Sequence, residues 1–469
     1  QRYPVPAAAD AAPGKALAAP RFALLHRERR FSRSENAWIG WERKRGKLEA
    51  LVARLTGTGQ GDFVDLGTLS HVVPGTPYVV TLDADTQLPP GRLRSLVGIA
   101  AHPSNQPVFD PATRTIVKGY GVLQPKVSAP LPGEHARTFY HWLFAGQFGI
   151  DTYSATSSEV YQDVFGQGTF TGKGLFNVAA VHQVLSGRFP DGQVLSHDLL
   201  EGALVRCATV TDVTVLEDGP HHPETANARI HRWTRGDWQL IPFMVRYRQY
   251  GISFLNLWKM LDNLRRSLVA PACLALLLMS VSGIGLEPVF ALLLVLLAYT
   301  AGPFIGAVAG LVPGRPNLEL RYFYACAGVD FARVLALGVW QCMQLLRQSM
   351  LAVDAVWRSL YRLAISRSGL LEWTTAASVQ AGSSTRLGAM LRTHAGLVVL
   401  TLAGAAALAP WITLPAWATE SAWPTPAPWS APAAAAAWWW PPPGTPSWAR
   451  SAICSVRWSA CRRLCWRIW

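Results

Sequence analysis

Three short groups of residues have the types and spacing for chemistry on a phosphorylated substrate. Asp83-Ala84-Asp85 follows the apolar run Tyr78-Val79-Val80-Thr81-Leu82. At the end of a strand, residues two apart point to the same side. Two carboxylates so placed can hold a divalent metal, and the metal can neutralise a diphosphate. A solvated turn is the simpler reading of the same residues. In Ser196-His197-Asp198, Ser196 reads as a helix N-cap and Asp198 falls in the first turn. A carboxylate there serves as a general base if it faces a cleft. Glu201 lies one turn later on the same face, and a plain capping group is again the simpler reading. The third group is Arg229-Ile230-His231-Arg232-Trp233. Helical spacing puts Arg229, Arg232 and Trp233 on one face. An Arg pair there can bind a leaving diphosphate, and an indole can pack on a sugar or base. An interfacial helix with its Arg and Trp at lipid headgroups is the competing reading.

Two further stretches carry weaker signals. Lys44-Arg45-Gly46-Lys47 either supplies cations to a nucleotide, with Lys47 the candidate contact, or is a solvated turn. Phe165–Gly174 is rich in glycine but lacks the spacing of an ATP phosphate loop. It reads as a loop that lets a polymer or acceptor approach the backbone.

The elements that must position these residues follow from the pattern of apolar positions. Residues 21–260 alternate short apolar runs with amphipathic segments, as an α/β domain does. Strands are expected at 78–82, 115–124 and 209–216, and helices at 197–208 and 225–249. The strongly apolar stretches 268–284 and 288–312 suit a hairpin of two spanning helices, with a third span near 394–415. Residues 321–365 are apolar but interrupted by Asp330, Gln341, Gln344, Arg347, Asp354 and Arg358, which suits amphipathic helices at the interface. The hairpin is expected to return the chain to the cytoplasm, so the arginine-rich 347–392 segment stays inside.

The domain plan is therefore a disordered lead-in at 1–20, a catalytic domain at 21–260 and a transmembrane hairpin at 261–320. Interfacial helices follow at 321–392, a transmembrane helix at 393–415, and a tail at 416–469. In that tail, nine of the 20 tryptophans and eight prolines follow Glu420, with no Asp, Glu or Lys. Either an aromatic membrane belt or a frameshift in a GC-rich gene gives such a composition, and the second is favoured. The net charge is +14, and many arginines flank the apolar stretches. No nucleic-acid motif accompanies them, so the bilayer is the expected partner and nucleic acid is not. The seven cysteines show neither zinc-site spacing nor a disulfide framework. A chain that opens on Gln1 with no signal peptide reads as a fragment.

The order of the groups adds information. A cationic loop, a DxD, a later Asp, R-x-x-R-W and then membrane helices resemble the processive inverting glycosyltransferases, such as cellulose, chitin and hyaluronan synthases. The stretches YVVTLDADTQLP, YGVLQPKV, VYQDVFGQGTFTGKGLFNV, LSHDLLEG, HRWTRGDWQLIPF and LLEWTTAA narrow this to the glycosyltransferase region of cyclic β-1,2-glucan synthases. The resemblance covers residues 21–415. It implies a GT-A-type nucleotide-sugar glycosyltransferase domain followed by transmembrane and interfacial helices, in the bacterial inner membrane with the catalytic domain cytoplasmic. It further implies UDP-glucose as donor and a β-glucan acceptor. Mg²⁺ or Mn²⁺ would bind at Asp83 and Asp85, Asp198 would be the base, and Arg229, Arg232 and Trp233 would lie at the acceptor and diphosphate. The family's first nucleotide-binding strand is expected ahead of Phe22 and does not occur in this sequence. The alternative is a non-catalytic membrane fragment of a decayed or truncated synthase gene. A transporter fits poorly, because the spans lack charged residues apart from Asp330.

Overall fold

The computed structural model describes residues 22–59, 63–130, 139–144, 159–217, 219–220, 222–313 and 319–373, with isolated positions at 379, 395 and 399. The lead-in at 1–20 and the tail at 416–469 lie outside the described residues, as does the span at 393–415 but for two positions.

A hairpin of β1 (Arg30–Ser32) and β2 (Ala37–Ile39) leads into helix α1 (Arg43–Leu55). Then come β3 (Tyr78–Thr81), β4 (Thr86–Gln87) and α2 (Arg92–Ala101). The stretch expected as one strand at 115–124 is two. A small hairpin, β5 (Val108–Asp110) with β6 (Thr115–Lys118), precedes β7 (Val122–Ser128). Gly119 makes the break: its φ is +66°, and a Cβ there would sit 1.9 Å from the Gln106 carbonyl oxygen. Only glycine takes that turn without strain.

The next elements are α3 (Phe139–Phe144), α4 (Val160–Phe165), β8 (Gly174–Asn177) and α5 (Val178–Leu185). Then follow α6 (Asp198–Val205) and β9 (Cys207–Glu217), the longest strand. The helix expected at 225–249 is α7 (Pro223–Trp238), with short α8 (Ile241–Val245) and α9 (Tyr247–Tyr250) after it. Pro242, which has no N–H to donate and crowds the preceding turn, separates α8 from α7.

The main sheet is mixed, in the order β3-β8-β7-β9-β4. Only β7 and β9 run parallel; the other pairs are antiparallel. Strand side chains alternate between faces, and two cores result. Val122, Phe176 and Cys207 join α1, α5, α6 and α8 residues on one face. Their neighbours Leu123, Leu175 and Ala208 pack with Leu96 and Ala100 of α2 on the other. The domain is thus a sheet between helical layers, and every strand end that matters for chemistry opens between α1, α6 and α7.

Helices α10 (Phe254–Ser267), α11 (Val269–Val281), α12 (Pro288–Ala309) and α13 (Leu320–Tyr361) follow, with a five-residue π-helix, Arg362–Ser366, ending the last. Residues 321–361 are one unbroken helix, where separate interfacial helices were expected. Its polar residues are neutralised locally instead of breaking it. Asp330 pairs with Arg333 at 3.1 Å, Gln348 donates to Gln341 at 2.6 Å, and Asp354 pairs with Arg358 at 2.8 Å. The helix has 42 residues, about 63 Å at 1.5 Å per residue, longer than a bilayer is thick.

By length and composition, Pro288–Val308 and Leu320–Ser366 are both able to cross a membrane. Helix α11 has 13 residues and is about 20 Å long, short of the roughly 30 Å hydrocarbon layer. The far half of α13 packs on α7 of the catalytic domain: Ser359 Oγ donates to the Arg235 carbonyl at 3.1 Å, and His231 Nε2 lies 2.9 Å from Asp354. Two crossings, by α12 and the first half of α13, return the chain to the catalytic side; three do not. In a cysteine-depleted background, Val312→Cys should therefore react with an impermeant maleimide from the face opposite the catalytic domain. Ser366→Cys should react only from the catalytic face. Labelling of both from one face would show that α13 does not cross.

Candidate active site

Sheet register brings the first acidic group together with partners distant in sequence. Thr81 of β3 pairs with Gly174 of β8, so Lys173 lies beside the chain just beyond β3. Thr86 of β4 pairs with Glu217, the last residue of β9. Between them the Asp83-Ala84-Asp85 turn is closed by the Thr86 N–H donating to the Asp83 carbonyl at 3.1 Å. Asp83 Oδ1 is 2.6 Å from Lys44 Nζ of α1, and Oδ2 is 3.2 Å from Lys173 Nζ. Lys173 also pairs with Glu217, and Glu217 is 3.5 Å from Arg229 Nη2 of α7. Burial raises the Asp83 pKa, but Lys44 and then Lys173 outweigh it and hold the carboxyl below its ordinary value.

Lys44 ties this cluster to the second group. Its ammonium also donates to the Gly172 carbonyl at 2.9 Å. Gly172 has φ +90°, and a Cβ there would lie 2.9 Å from both Asp198 carboxylate oxygens. The glycine-rich segment therefore runs between Asp83 and Asp198, and glycine is what lets the Asp198 carboxylate touch its backbone. The segment is pinned on both sides. Gln124 Oε1 accepts from Thr171 N and Oγ1, each at 3.0 Å, and Lys259 Nζ donates to the Gln167 and Gly168 carbonyls at 2.9 and 2.8 Å.

Asp198 begins α6, with His197 as its N-cap residue. The His197 ring is buried, its Nδ1 being 3.3 Å from Asp198 Oδ1 and 3.1 Å from Glu201 Oε1. Burial pushes the imidazole pKa down; Glu201 and then Asp198 reverse this and lift it to about 9, against opposition from Lys44. An imidazolium thus sits between two carboxylates. These three side chains offer donor atoms within 4.8 Å of one another, a spacing open to a metal. A protonated ring has no lone pair to give, and its own charge already fills that role.

On α7, Arg229 lies over the Trp233 ring at 4.5 Å and Arg232 over the Trp373 ring at 5.1 Å. Burial and the neighbouring Arg229 lower the Arg232 pKa, opposed by Asp198 and Asp83. Arg232 therefore feels both acidic groups. Trp373 also lies 5.8 Å beneath Arg43, on a segment moored by Leu371 N donating to Glu35 at 2.8 Å and Gln239 donating to the Leu370 carbonyl at 3.0 Å.

The residues singled out by sequence are thus divided. Asp83, Asp198, Arg229 and Arg232 converge, with Trp233 beside Arg229. Lys47 is exposed on α1, and Lys44 three residues earlier makes the contact with Asp83. Asp85 is exposed on the turn, with no hydrogen-bonded side chain among the described residues. Lys173, Glu217, His197 and Trp373 were not chosen. Lys173 lies in the noted glycine-rich segment and His197 in the SHD group, so both had a local signal; Glu217 and Trp373 had none.

This donor set fits a divalent cation brought with a diphosphate. Such ions use one or two carboxylates and complete their shell with phosphate oxygens and water. Asp85 offers an open carboxylate two residues from Asp83.

Two outcomes follow. Gly172→Ala should destabilise the protein more than Gly187→Ala, because Gly187 shares the positive φ (+60°) but has nothing within 4 Å of its Cβ position. Strained backbone of this kind costs on the order of 1–3 kcal/mol, and contact with Asp198 adds to it; equal denaturant midpoints would refute the contact. The His197 pKa is raised from 6.5 to about 9. Its stabilisation is therefore complete below about pH 6.5 and lost as pH rises through about 9. Wild type should lose stability relative to His197→Gln over that window, read by thermal unfolding; parallel curves would remove the imidazolium.

No family model matches the chain. Cyclic β-(1,2)-glucan synthase NdvB of Rhizobium meliloti (strain 1021) is 40% identical to it over 393 residues, covering 82% of this chain and 14% of that protein. The chain thus spans about one-seventh of the curated relative it matches. At that identity over most of its own length, it is a cyclic β-glucan synthase-related protein.

Proposed function

We propose that this chain is a membrane-tethered, inverting glucosyltransferase segment that moves glucose from UDP-glucose to a growing β-1,2-glucan, on a GT-A-type domain. The observation that carries the reading is the convergence of Asp83, Asp198 and the Arg229/Arg232 face around Lys44 and the Gly172 backbone. Relatedness to a cyclic β-(1,2)-glucan synthase supports the sugar chemistry and the linkage.

The roles follow from charge and position. The donor diphosphate carries negative charge that grows on the leaving group as the anomeric C–O bond breaks. Arg229 and Arg232 on one helical face, with Lys44 and Lys173 beside Asp83, are the cations able to receive it. Mg²⁺ or Mn²⁺ held at Asp85 beside Asp83 would neutralise the diphosphate when bound. Asp198 accepts the proton of the acceptor 2-hydroxyl as its oxygen attacks the anomeric carbon from the face opposite UDP, which inverts the centre. His197 and Gly172 fix that carboxylate from two sides. The exposed Trp373 indole offers an apolar surface for the acceptor sugar at the rim.

The test is Asp198→Asn in membranes carrying the protein, with UDP-[¹⁴C]glucose and linkage analysis of the product. The variant should retain UDP-glucose binding while transfer falls roughly 100-fold or more, the scale of a general base. Retained transfer in Asp198→Asn with loss in Glu201→Gln would move the role to Glu201. Loss of binding together with transfer would make Asp198 a binding or structural residue.

A further inference from the structure

Helix α10 is turned inside out. Its polar residues Asn256, Lys259 and Asp262 are 3%, 4% and 5% exposed, while Phe254, Trp258 and Leu261 are 78%, 52% and 45% exposed. Each inward polar group has a partner. Lys259 donates to the Gln167 and Gly168 carbonyls at 2.9 and 2.8 Å and lies 4.7 Å from the Tyr161 ring centroid. Asn256 Nδ2 donates to the Ala203 carbonyl at 3.3 Å, and Asp262 pairs with Arg265 at 2.7 Å and Arg266 at 3.5 Å. Met260, in the domain core, fixes which way the helix faces. The outward apolar face is therefore set by contacts on the opposite side.

The outward positions continue past the helix end. Exposed residues recur at 254, 258, 261, 265, 268, 272, 275 and 279, every three or four residues across the Leu268 junction and into α11. Their identities are Phe, Trp, Leu, Arg, Leu, Ala, Ala and Met. The two helices are bent by 43° and are apolar enough together to pass as one broken span. The polar contacts of α10 with the catalytic domain argue against its crossing, because Lys259 and Asn256 are committed to carbonyls of that domain. The stripe shared with α11 argues for one medium along both helices.

We propose that the outward face of α10 lies in the headgroup–acyl boundary of a lipid bilayer, and that the stripe dips into the hydrocarbon along α11. Phe, Trp and Leu at the exposed positions with an Arg at the end of the helix is the composition of a surface-lying segment, buried about 5–10 Å into the interface. Leaving such side chains in water forgoes roughly 1.5–3 kcal/mol for each large apolar group. The long stem of Arg265 suits a position where its charge reaches the headgroups. The helix that grips the glycine-rich segment with Lys259 thus rests on lipid with its other face. This inference is independent of the reaction proposed above.

The test places a fluorophore, not a reaction. Trp258→Cys and Phe254→Cys, each in a cysteine-depleted full chain, are labelled with an NBD probe and reconstituted in phospholipid nanodiscs. Val97→Cys, exposed on α2 of the catalytic domain, is the aqueous control. Quenching by doxyl-labelled lipid several-fold stronger than at Val97, with protection from iodide, is expected at both positions. Iodide quenching equal to that at Val97 would overturn the proposal. A probe shielded from both quenchers, and exposed on dilution of the protein among more discs, would show that a second copy covers the face and would also overturn it.

Discussion

An alternating chain of charges, Lys44–Asp83–Lys173–Glu217–Arg229, is the constraint on which the site depends. Its members come from α1, the turn after β3, the start of β8, the end of β9, and α7. Lys173 and Glu217 are buried, so neither charge is tolerable alone. Removing one partner of such a pair leaves an uncompensated buried charge, a loss of about 3–5 kcal/mol. The chain therefore holds five elements in register, and it does so with the groups a diphosphate would meet. The same cations serve folding in one state and a ligand in another, which keeps the site assembled before substrate arrives.

That arrangement explains why the neighbouring backbone is so restricted. Lys44 reaches both Asp83 and the Gly172 carbonyl, so the glycine-rich segment must pass within a hydrogen bond of α1. Asp198 comes from the other side, and no Cβ fits between them. Gln124 and Lys259 then hold the segment from the sheet and from α10. A phosphate loop cradles its ligand with glycine amides; here the glycine acts instead by letting a carboxylate approach, while a fixed lysine carries the charge.

The legible parts of the site were those with local cause. Asp83 follows an apolar strand, Asp198 starts a helix, and Arg229, Arg232 and Trp233 share a helical face; each pattern is contained within a few residues. Lys47 was chosen over Lys44 because the start of α1 carries no sequence signature. Glu42 caps it in a left-handed conformation with no side-chain hydrogen bond, so the helix phase could not be fixed, and a three-residue difference decides which lysine faces inward. Glu217 was invisible for another reason: it matters only because β4 pairs with the end of β9, a contact across some 130 residues. The long α13 was read as broken because its charges were counted singly, whereas several are cancelled by partners three or four residues away.

Helix α7 shows how the membrane segment and the site share one rigid element. Its Glu224, His231 and Arg235 face α13, through Arg347, Asp354 and Ser359. Its Asp237 and Trp238 meet α10, through Asn263 at 3.2 Å and Ser267 at 2.9 Å. Arg229, Arg232 and Trp233 occupy the remaining side. The spacing 224, 231, 235 is seven and four residues, which keeps one stripe on α13 along the whole helix. The arginines therefore cannot turn toward or away from the site without breaking buried contacts to the long membrane helix. A helix held on two sides in this way transmits displacement rather than absorbing it. Any movement of α13 along the bilayer normal must carry the Arg229/Arg232 face with it, which makes the seating of the membrane helices part of the geometry of the site.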